Sequence, residues 1–493
     1  MNNNLVYSLF LKCLYFLISP IVLILYILEP FSGDVMIYFG AAKVTALTNG
    51  FPMTLDSVWE VKLIGHRFLY YLLNLIATPF HGWAYSIFVK LIVSIITIVI
   101  LYYFSKQLST RLQIRFEYPF IIGFLGLFAV NNYIIFSGEA TSVIISMLMF
   151  AMLLDDHKWI QIASGLLVVP LLTLKGLPVL LVLIIMLSTM MLTNDYWERF
   201  KRAILSLPIV VISIFILMWY FPHFISDIFL SRVLNPAITQ DILQIVFNFW
   251  YHGISMIGMA PIIVFGACSL LLLLSVVVKE QMRNIGLLLL MWGISSAYVM
   301  YIAQFFYIHY YLMVIPAIFT LCYFLKLYDH HQSVFILIVV TVIILNVTII
   351  SGGSLVMAFS EYKTADERQI LVDNITENTD ILSQPTTLYL DDGSLSYYFP
   401  TPSACRYVGS VPYERNSLTQ NITFSKEYWE NRNCTLAYTG KYILVNRNFF
   451  NFSAPPLKEI STKIKNEYAM IYTFDEKNQL DIRWWWNIYE RKT

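Results

Sequence analysis

Long apolar runs separated by short polar loops leave this chain few folds to choose from. A helix that crosses the hydrocarbon core of a bilayer needs ~20 mainly apolar residues, fewer where short helices pack inside a bundle. On that rule the sequence predicts about eleven spans, near residues 5–28, 84–104, 118–136, 140–154, 159–174, 177–193, 203–221, 254–278, 285–305, 309–327 and 333–351. Of the 493 residues 58% are hydrophobic and 13% charged, where a soluble domain carries roughly 25% charged residues. The expected fold class is a polytopic α-helical membrane protein. The run at 5–28 is too long and too uniformly apolar for a cleaved signal peptide, so it reads as a retained anchor. A net charge of +1 gives no electrostatic footprint for nucleic acid.

Basic residues set the orientation, because cytoplasmic loops are enriched in Lys and Arg. Lys106, Arg111 and Arg115, then Lys158, then Arg199, Lys201 and Arg202, then Lys279 and Arg283, then Lys326 all fall on one side when the spans are threaded in order. That side is the cytoplasm. The loop after the first span, the 131–139 turn, the 222–252 loop and everything after residue 352 then fall outside. Residues 1–351 read as a transmembrane domain with a long first external loop, 29–83. Within that loop AAKVTALTNG and GHRFLYYLLNLIATPF are amphipathic and predict interfacial helices, broken at Asn49-Gly50 and Pro52. The 222–252 loop predicts a second interfacial helix pair.

Composition changes at Gly352. Residues 352–493 predict a small extracytoplasmic α/β domain, with strand-like runs at 386–392, 405–410, 441–446 and 468–474 and helical pieces at DERQILVDNI and PLKEISTKIKNEY. The sequons at Asn374, Asn421, Asn433 and Asn451 agree with an external location. Cys405 and Cys434 lie here; in an oxidising space they pair, otherwise they are free thiols. Cys13, Cys268 and Cys322 lie in apolar helices and read as small buried hydrophobes. Asp391-Asp392 reads as a turn rather than a metal site. Trp484–Trp486 either packs or stacks on sugar.

The ionisable residues that could carry chemistry cluster in the first external loop. Asp34 stands just beyond the first span, followed by Tyr38, Lys43, Asp56, Glu60, Lys62, His66 and Arg67. A charge at that depth is a functional candidate by default, or simply a solvated residue outside the bilayer. Asp56 and Glu60 read as a solvated face. Glu139 opens a helix, where the macrodipole alone would favour it. Lys175 is either functional or snorkels. His252 and His309 are interfacial histidines, with or without a role. The sequence carries no Walker loop, no G-x-G-x-x-G after a strand and no H-E-x-x-H.

Four stretches together resemble the GT-C superfamily of integral membrane glycosyltransferases, and within it the family of protein O-mannosyltransferases and lipid A aminoarabinose transferases. GDVMIYFGAAKVTALTNGFP resembles that family's opening external loop, and Asp34 matches its catalytic acidic residue. GHRFLYYLLNLIATP resembles the stretch leading to the next helix; the family's proline pair is absent, and His66-Arg67 stands where it has a basic residue near the donor phosphate. FSGEATSVIISMLMFAMLL resembles the second external turn, and Glu139 matches its acidic residue. LLTLKGLPVLL is similar to a T-K-G-P stretch, and FYIHYYLMVIPAIFTL resembles an R-Y-x-L-P-x-x-P helix with His309-Tyr310 at the R-Y position.

The resemblance implies a multi-pass enzyme of the cell membrane, or of the ER membrane in a eukaryote. Its donor would be a sugar on a polyprenyl phosphate of dolichyl-phosphate type, and its acceptor an extracytoplasmic glycan, lipid or protein. Transfer would invert the anomeric centre without a metal or other cofactor, hexosyl or pentosyl. Asp34 would be the general base, and Glu139 would orient the acceptor or tune Asp34. Arg67, His66, Lys62 and Lys175 would hold the donor phosphate, while Tyr38, His309, Tyr310 and His252 would contact substrate. A transporter or flippase of a lipid-linked saccharide is the alternative. It would favour inverted repeats, and none is detectable. A receptor-like display of the C-terminal domain would need one span only.

Overall fold

The computed structural model describes residues 20, 22–24, 26–28, 31, 33–49, 51, 64–128, 137–174, 178–221, 242–255, 260–275, 281–302, 310–328, 369–390, 395–405, 426–446, 455–474 and 486–492. The expected span at 333–351, most of that at 5–28, residues 222–241 and 406–410, Asp391-Asp392, and the sequons at Asn421 and Asn451 lie outside them. The described chain is mostly helical with one small sheet. It divides into two compact units: residues 1–30, 86–216 and 235–362, and residues 31–85, 217–234 and 363–493. Compactness thus groups the first external loop with the C-terminal region, where composition alone drew a line at 351.

The first unit is an array of apolar helices. The Gly82–Leu112 helix is followed by Glu117–Phe128, Gly138–Leu154, Lys158–Ser164 with a 3₁₀ turn at Gly165–Leu167 into Val168–Leu174, Pro178–Leu192, Tyr196–Ile204 and Leu207–Tyr220. Ile242–Ser255, Ala260–Ser275, Met282–Ile302 and Tyr311–Leu327 complete it. Among the described residues one helix, Ala84–Leu112, is by itself long and apolar enough to cross a membrane; Tyr196–Ile204 and Leu207–Tyr220, bent by 42°, pass that test as a pair. Sequence reading had given the latter pair as one run at 203–221 preceded by a basic loop.

These helices are built inside out. Along Gly82–Leu112 the buried face carries Lys90, Ser94, Thr97 and Ser105 beside Val89, Leu101, Phe104 and Leu108, while Leu91, Ile95, Ile96 and Val99 are exposed. Leu207, Ile209, Ile212, Phe215 and Ile216 are likewise exposed. In water such faces would be costly; against lipid they are what a surface requires. Several buried hydroxyls are satisfied within their own helices. Ser142 donates to the Gly138 carbonyl (2.6 Å), Ser146 to Ser142 (2.7 Å), Ser188 to Ile184 (2.7 Å) and Thr189 to Ile185 (2.7 Å), the local back-bond open to Ser and Thr.

Helix ends are closed by similar means. Gly82–Leu112 ends on Gln113 at φ +57°, and the Ile114 N–H reaches back to the Ser109 carbonyl at 3.1 Å, a left-handed cap. The last carbonyls of Gly138–Leu154 are taken by arginines from two other helices. Arg111 donates to Leu154 O (3.0 Å), and Arg199 to Leu153 O (3.0 Å) and Asp155 O (2.8 Å). Asp195 neutralises Arg199 through both carboxylate oxygens at 2.9 Å. Residues of three of the five basic stretches therefore meet at one place.

The most enclosed helix is Tyr311–Leu327, buried from Tyr311 to Leu325. Gly266 lets it approach closely, since a Cβ there would stand 3.0 Å from Ala317 Cα and Cβ; small residues serve this purpose where helices pack in lipid. Pro316 lies inside the helix and lacks the N–H that would bond the Leu312 carbonyl four residues back. Ser295 Oγ donates to that carbonyl at 3.3 Å instead. Nearby, Trp292 Nε1 donates to Thr320 Oγ1 (3.0 Å), which donates to Pro316 O (2.7 Å).

The C-terminal part of the second unit is a mixed four-stranded sheet in the order β1-β2-β4-β3, with β1 Leu388–Leu390, β2 Tyr442–Asn446, β3 Tyr468–Phe474 and β4 Trp486–Arg491. β1 and β2 are parallel; β4 is antiparallel to both its neighbours. Alternation puts Tyr389, Tyr442, Leu444 and Ile488 into one core with Val372 and Ile375 of the 369–378 helical stretch. Leu388, Leu390, Ile443 and Val445 enter another with Ile460 and Ile464 of the Pro455–Glu467 helix. Helices thus cover both faces, as an α/β layer requires. Cys405 and Cys434 are disulfide-bonded with Cα atoms 5.8 Å apart, closing a separation of 29 residues, which by loop entropy stabilises the unit by roughly 3–4 kcal/mol.

The proline account predicts that Ser295→Ala costs about 1–3 kcal/mol, the penalty for a buried carbonyl left without a donor. In a Pro316→Ala background, where the backbone N–H returns, the same change costs much less. Thermal unfolding of the four proteins of this cycle in detergent measures the difference.

Candidate active site in the first loop

Two helices of the first loop carry the candidate residues. Gly33–Leu47 starts with Asp34 in its first turn, carries Tyr38 one turn later, and stops at Asn49, φ +50°. Asn tolerates the left-handed region better than other side chains, so the expected break at Asn49-Gly50 has a local cause. Ile64–Ala77 carries His66 and Arg67 in its first turn. Both stretches expected to be helical are therefore helices, and the second turns apolar side chains outward. It exposes Phe68, Leu72, Leu75 and Ile76, and buries His66 (0% exposed), Arg67 (2%), Tyr70 and Asn74.

The helices meet through aromatic rings. Tyr38 packs edge-on to His66 with centroids 4.5 Å apart and lies 4.8 Å from Tyr70. Phe39 contacts Tyr70 (4.7 Å) and Tyr85 (5.3 Å), and Phe31 stacks on Phe39 at 4.9 Å. The Tyr85 hydroxyl donates to Asn74 Oδ1 at 2.8 Å. Tyr38, His66 and Arg67, named from sequence, are thus brought together on the helix pair that carries Asp34. The side chain of Asp34, and all of Lys62, lie outside the described residues.

The other candidates belong to the first unit. Glu139 is in the first turn of Gly138–Leu154 and is 1% exposed. Ser137 caps that helix, its Oγ accepting from Ala140 N at 3.1 Å. Such burial is more than a solvated helix-end charge requires. Tyr310 is buried, stacks on Phe249 at 5.6 Å and donates to the Phe249 carbonyl at 2.7 Å. This joins it to Ile242–Ser255, the helix whose next turn carries His252. The side chain of His252, and His309 and Lys175 entirely, lie outside the described residues.

Lys43 and Lys90 received no role from sequence, although each is a cation flanked by apolar residues in its helix, which is the signal that marks function in such surroundings. Lys90 is fully buried and donates to the Tyr26 carbonyl at 3.1 Å. Lys43 donates to the Tyr397 carbonyl at 3.1 Å, and its Nζ lies 3.5 Å from the centre of the Tyr397 ring and 5.2 Å from that of Tyr85. Burial pulls its pKa down to about 7.

No family model matches the sequence, and no curated protein does. Solved structures do. The crystal structure of ArnT from Cupriavidus metallidurans bound to undecaprenyl phosphate superposes with a TM-score of 0.60 at 11% identity, over 97% of both chains. The chain has the fold of ArnT. The apo state of ArnT gives 0.54 at 12% identity, again over 97% of each chain. A fold shared with ArnT is what the sequence resemblance leads one to expect. The likeness to ArnT runs through the first loop and the C-terminal region as well as the apolar helices, since nearly all of both chains is matched.

Asn74→Ala should strand the buried Tyr85 hydroxyl and cost about 1–3 kcal/mol, with Tyr85→Phe in the same background recovering most of it. Chemical unfolding of the single and double variants tests this.

Proposed function

We propose that the protein is a membrane glycosyltransferase that moves a sugar from a polyprenyl-phosphate donor to an extracytoplasmic acceptor. The ArnT structure that shares its fold holds undecaprenyl phosphate. The observation that carries the reading on this chain is the Ile64–Ala77 helix, which turns Phe68, Leu72, Leu75 and Ile76 outward and buries His66 and Arg67. A lipid-borne phosphate arrives along an apolar surface and needs cations at its edge. A helix N-terminus favours an anion, and a guanidinium matches phosphate oxygens in a fork. Lys62 and Lys175 are further cations for the same phosphate.

In this reading an acceptor hydroxyl or amine attacks the anomeric carbon on the face opposite the phosphate. The new bond forms as the bond from that carbon to the phosphate oxygen breaks. The acceptor proton passes to the Asp34 carboxylate, and the polyprenyl phosphate leaves as a monoester. One displacement inverts the centre and asks for no metal. Glu139 orients the acceptor or raises the basicity of Asp34 by like-charge repulsion. Tyr38, Tyr310, His252 and His309 are substrate contacts, Tyr38 through the ring cluster that fixes it. The donor is presented on the extracytoplasmic side of the cell membrane.

Transfer from radiolabelled polyprenyl-phosphate sugars in membranes tests the reading. Asp34→Asn is expected to lower kcat by about 10²–10⁴-fold, the usual worth of a general base. Arg67→Gln is expected to raise KM for the donor. Full activity in Asp34→Asn, at equal expression, overturns the base assignment.

A further inference from the structure

The second unit holds a contact that the proposed chemistry leaves unused. The Leu395–Tyr398 helix lies against Gly33–Leu47 so closely that a Cβ on Gly40 would fall 2.0 Å from Ser396 Oγ and 2.8 Å from the backbone of Ser396 and Tyr397. Ala41 enters the core of the C-terminal sheet with Tyr389, Leu395 and Phe399. Three residues after Gly40, on the same side of the helix, the Lys43 amine lies between Tyr397 and Tyr85 and donates to the Tyr397 carbonyl.

We propose that Lys43 is a positioning residue whose uncharged amine fastens the helix of Asp34 and Tyr38 to the Leu395–Tyr398 segment, so that the C-terminal region sets where that helix stands. The groups that face Lys43 are phenols, Tyr85 from the Gly82–Leu112 helix and Tyr397 from the short segment. The Ile64–Ala77 helix offers His66, Arg67 and Tyr70, and the sheet core offers Tyr389. Among the described residues none of these is a carboxylate, and Lys43 has no ion pair. Two phenol rings and one carbonyl replace part of the water around the half-buried amine, so charge opposes docking. The undocked amine has the ordinary value of 10.5 and the docked one about 7. The undocked state therefore binds more protons between those values, and docking strengthens as pH rises through that window. Between pH 6 and 8.5 the docking equilibrium gains up to about thirtyfold.

The role in catalysis rests on the glycosyltransferase reading; the contact itself does not, and the test separates them. Hydrogen exchange of peptides covering 33–47 and 395–405 is followed in the full-length protein at pH 6, 7 and 8.5, corrected for intrinsic rates. In the wild type, protection of both segments is expected to rise with pH. Lys43→Met, neutral but with no donor for the Tyr397 carbonyl, is expected to lose the pH dependence and to be less protected than the wild type at pH 8.5. Lys43→Arg, permanently charged, is expected to be loose at every pH, and Gly40→Val loose irrespective of Lys43. Sugar transfer in the same variants is expected to follow protection in kcat while KM for the donor holds. Protection that falls as pH rises, or Lys43→Arg matching the wild type at pH 8.5, overturns the proposal, because the amine would then act as a cation on the rings. Equal protection in all Lys43 variants overturns it too. If exchange behaves as expected but no sugar is transferred, the contact stands and the glycosyltransferase reading fails.

Discussion

A polar group enclosed by apolar surroundings must find its partner inside the protein, and most of this structure follows from that requirement. Water cannot rescue a carbonyl in a bundle that faces lipid, so each irregularity needs a local answer. Pro316 removes a donor, and Ser295 of another helix supplies one to Leu312. Gly138–Leu154 ends, and Arg111 and Arg199 cover its last carbonyls. Several serines and threonines bond to their own helices. An unmet hydrogen bond costs more than a made one gains, so these arrangements specify the fold more than they add to its stability.

The same requirement explains why polar residues gather inward and what the site can then be. Ile64–Ala77 shows lipid-like side chains to the outside and keeps His66 and Arg67 within. A charge held there is costly, which makes its position informative. The aromatic cluster of Tyr38, Tyr70 and His66 fixes the helix pair by ring geometry, with few torsions free to move. Rigid support of this kind is what a catalytic loop needs, because small misplacement of reacting groups loses rate steeply. Lys43 belongs to the same logic, as an amine whose neighbours suit the uncharged form.

Several elements were legible in the chain because their cause is local. The apolar runs gave the helices of the first unit, Asn49 stopped the first-loop helix, and period-two alternation marked the strands at 388–390, 442–446 and 468–474. The strand Trp486–Arg491 was missed, since a run of three tryptophans masks the alternation that WNIYER would otherwise display. The bend between Tyr196–Ile204 and Leu207–Tyr220 was also missed, because the first of these helices is polar enough to read as a loop. The grouping of residues 31–85 with 363–493 could not be read from composition, which registers polarity and not contact.

By itself the sequence determined a mainly helical chain of apolar runs, a first loop rich in ionisable residues and a C-terminal sheet, since hydropathy and periodicity act over neighbouring residues. It also set out Asp34, Tyr38, His66 and Arg67 as candidates, because charge in apolar surroundings is conspicuous. Only the tertiary structure decided that Tyr38 meets His66, that Ser295 serves Leu312, and that Lys43 meets Tyr397 across 354 positions of sequence. Those pairings depend on which faces are turned together when helices pack, and that choice is made by the whole chain at once.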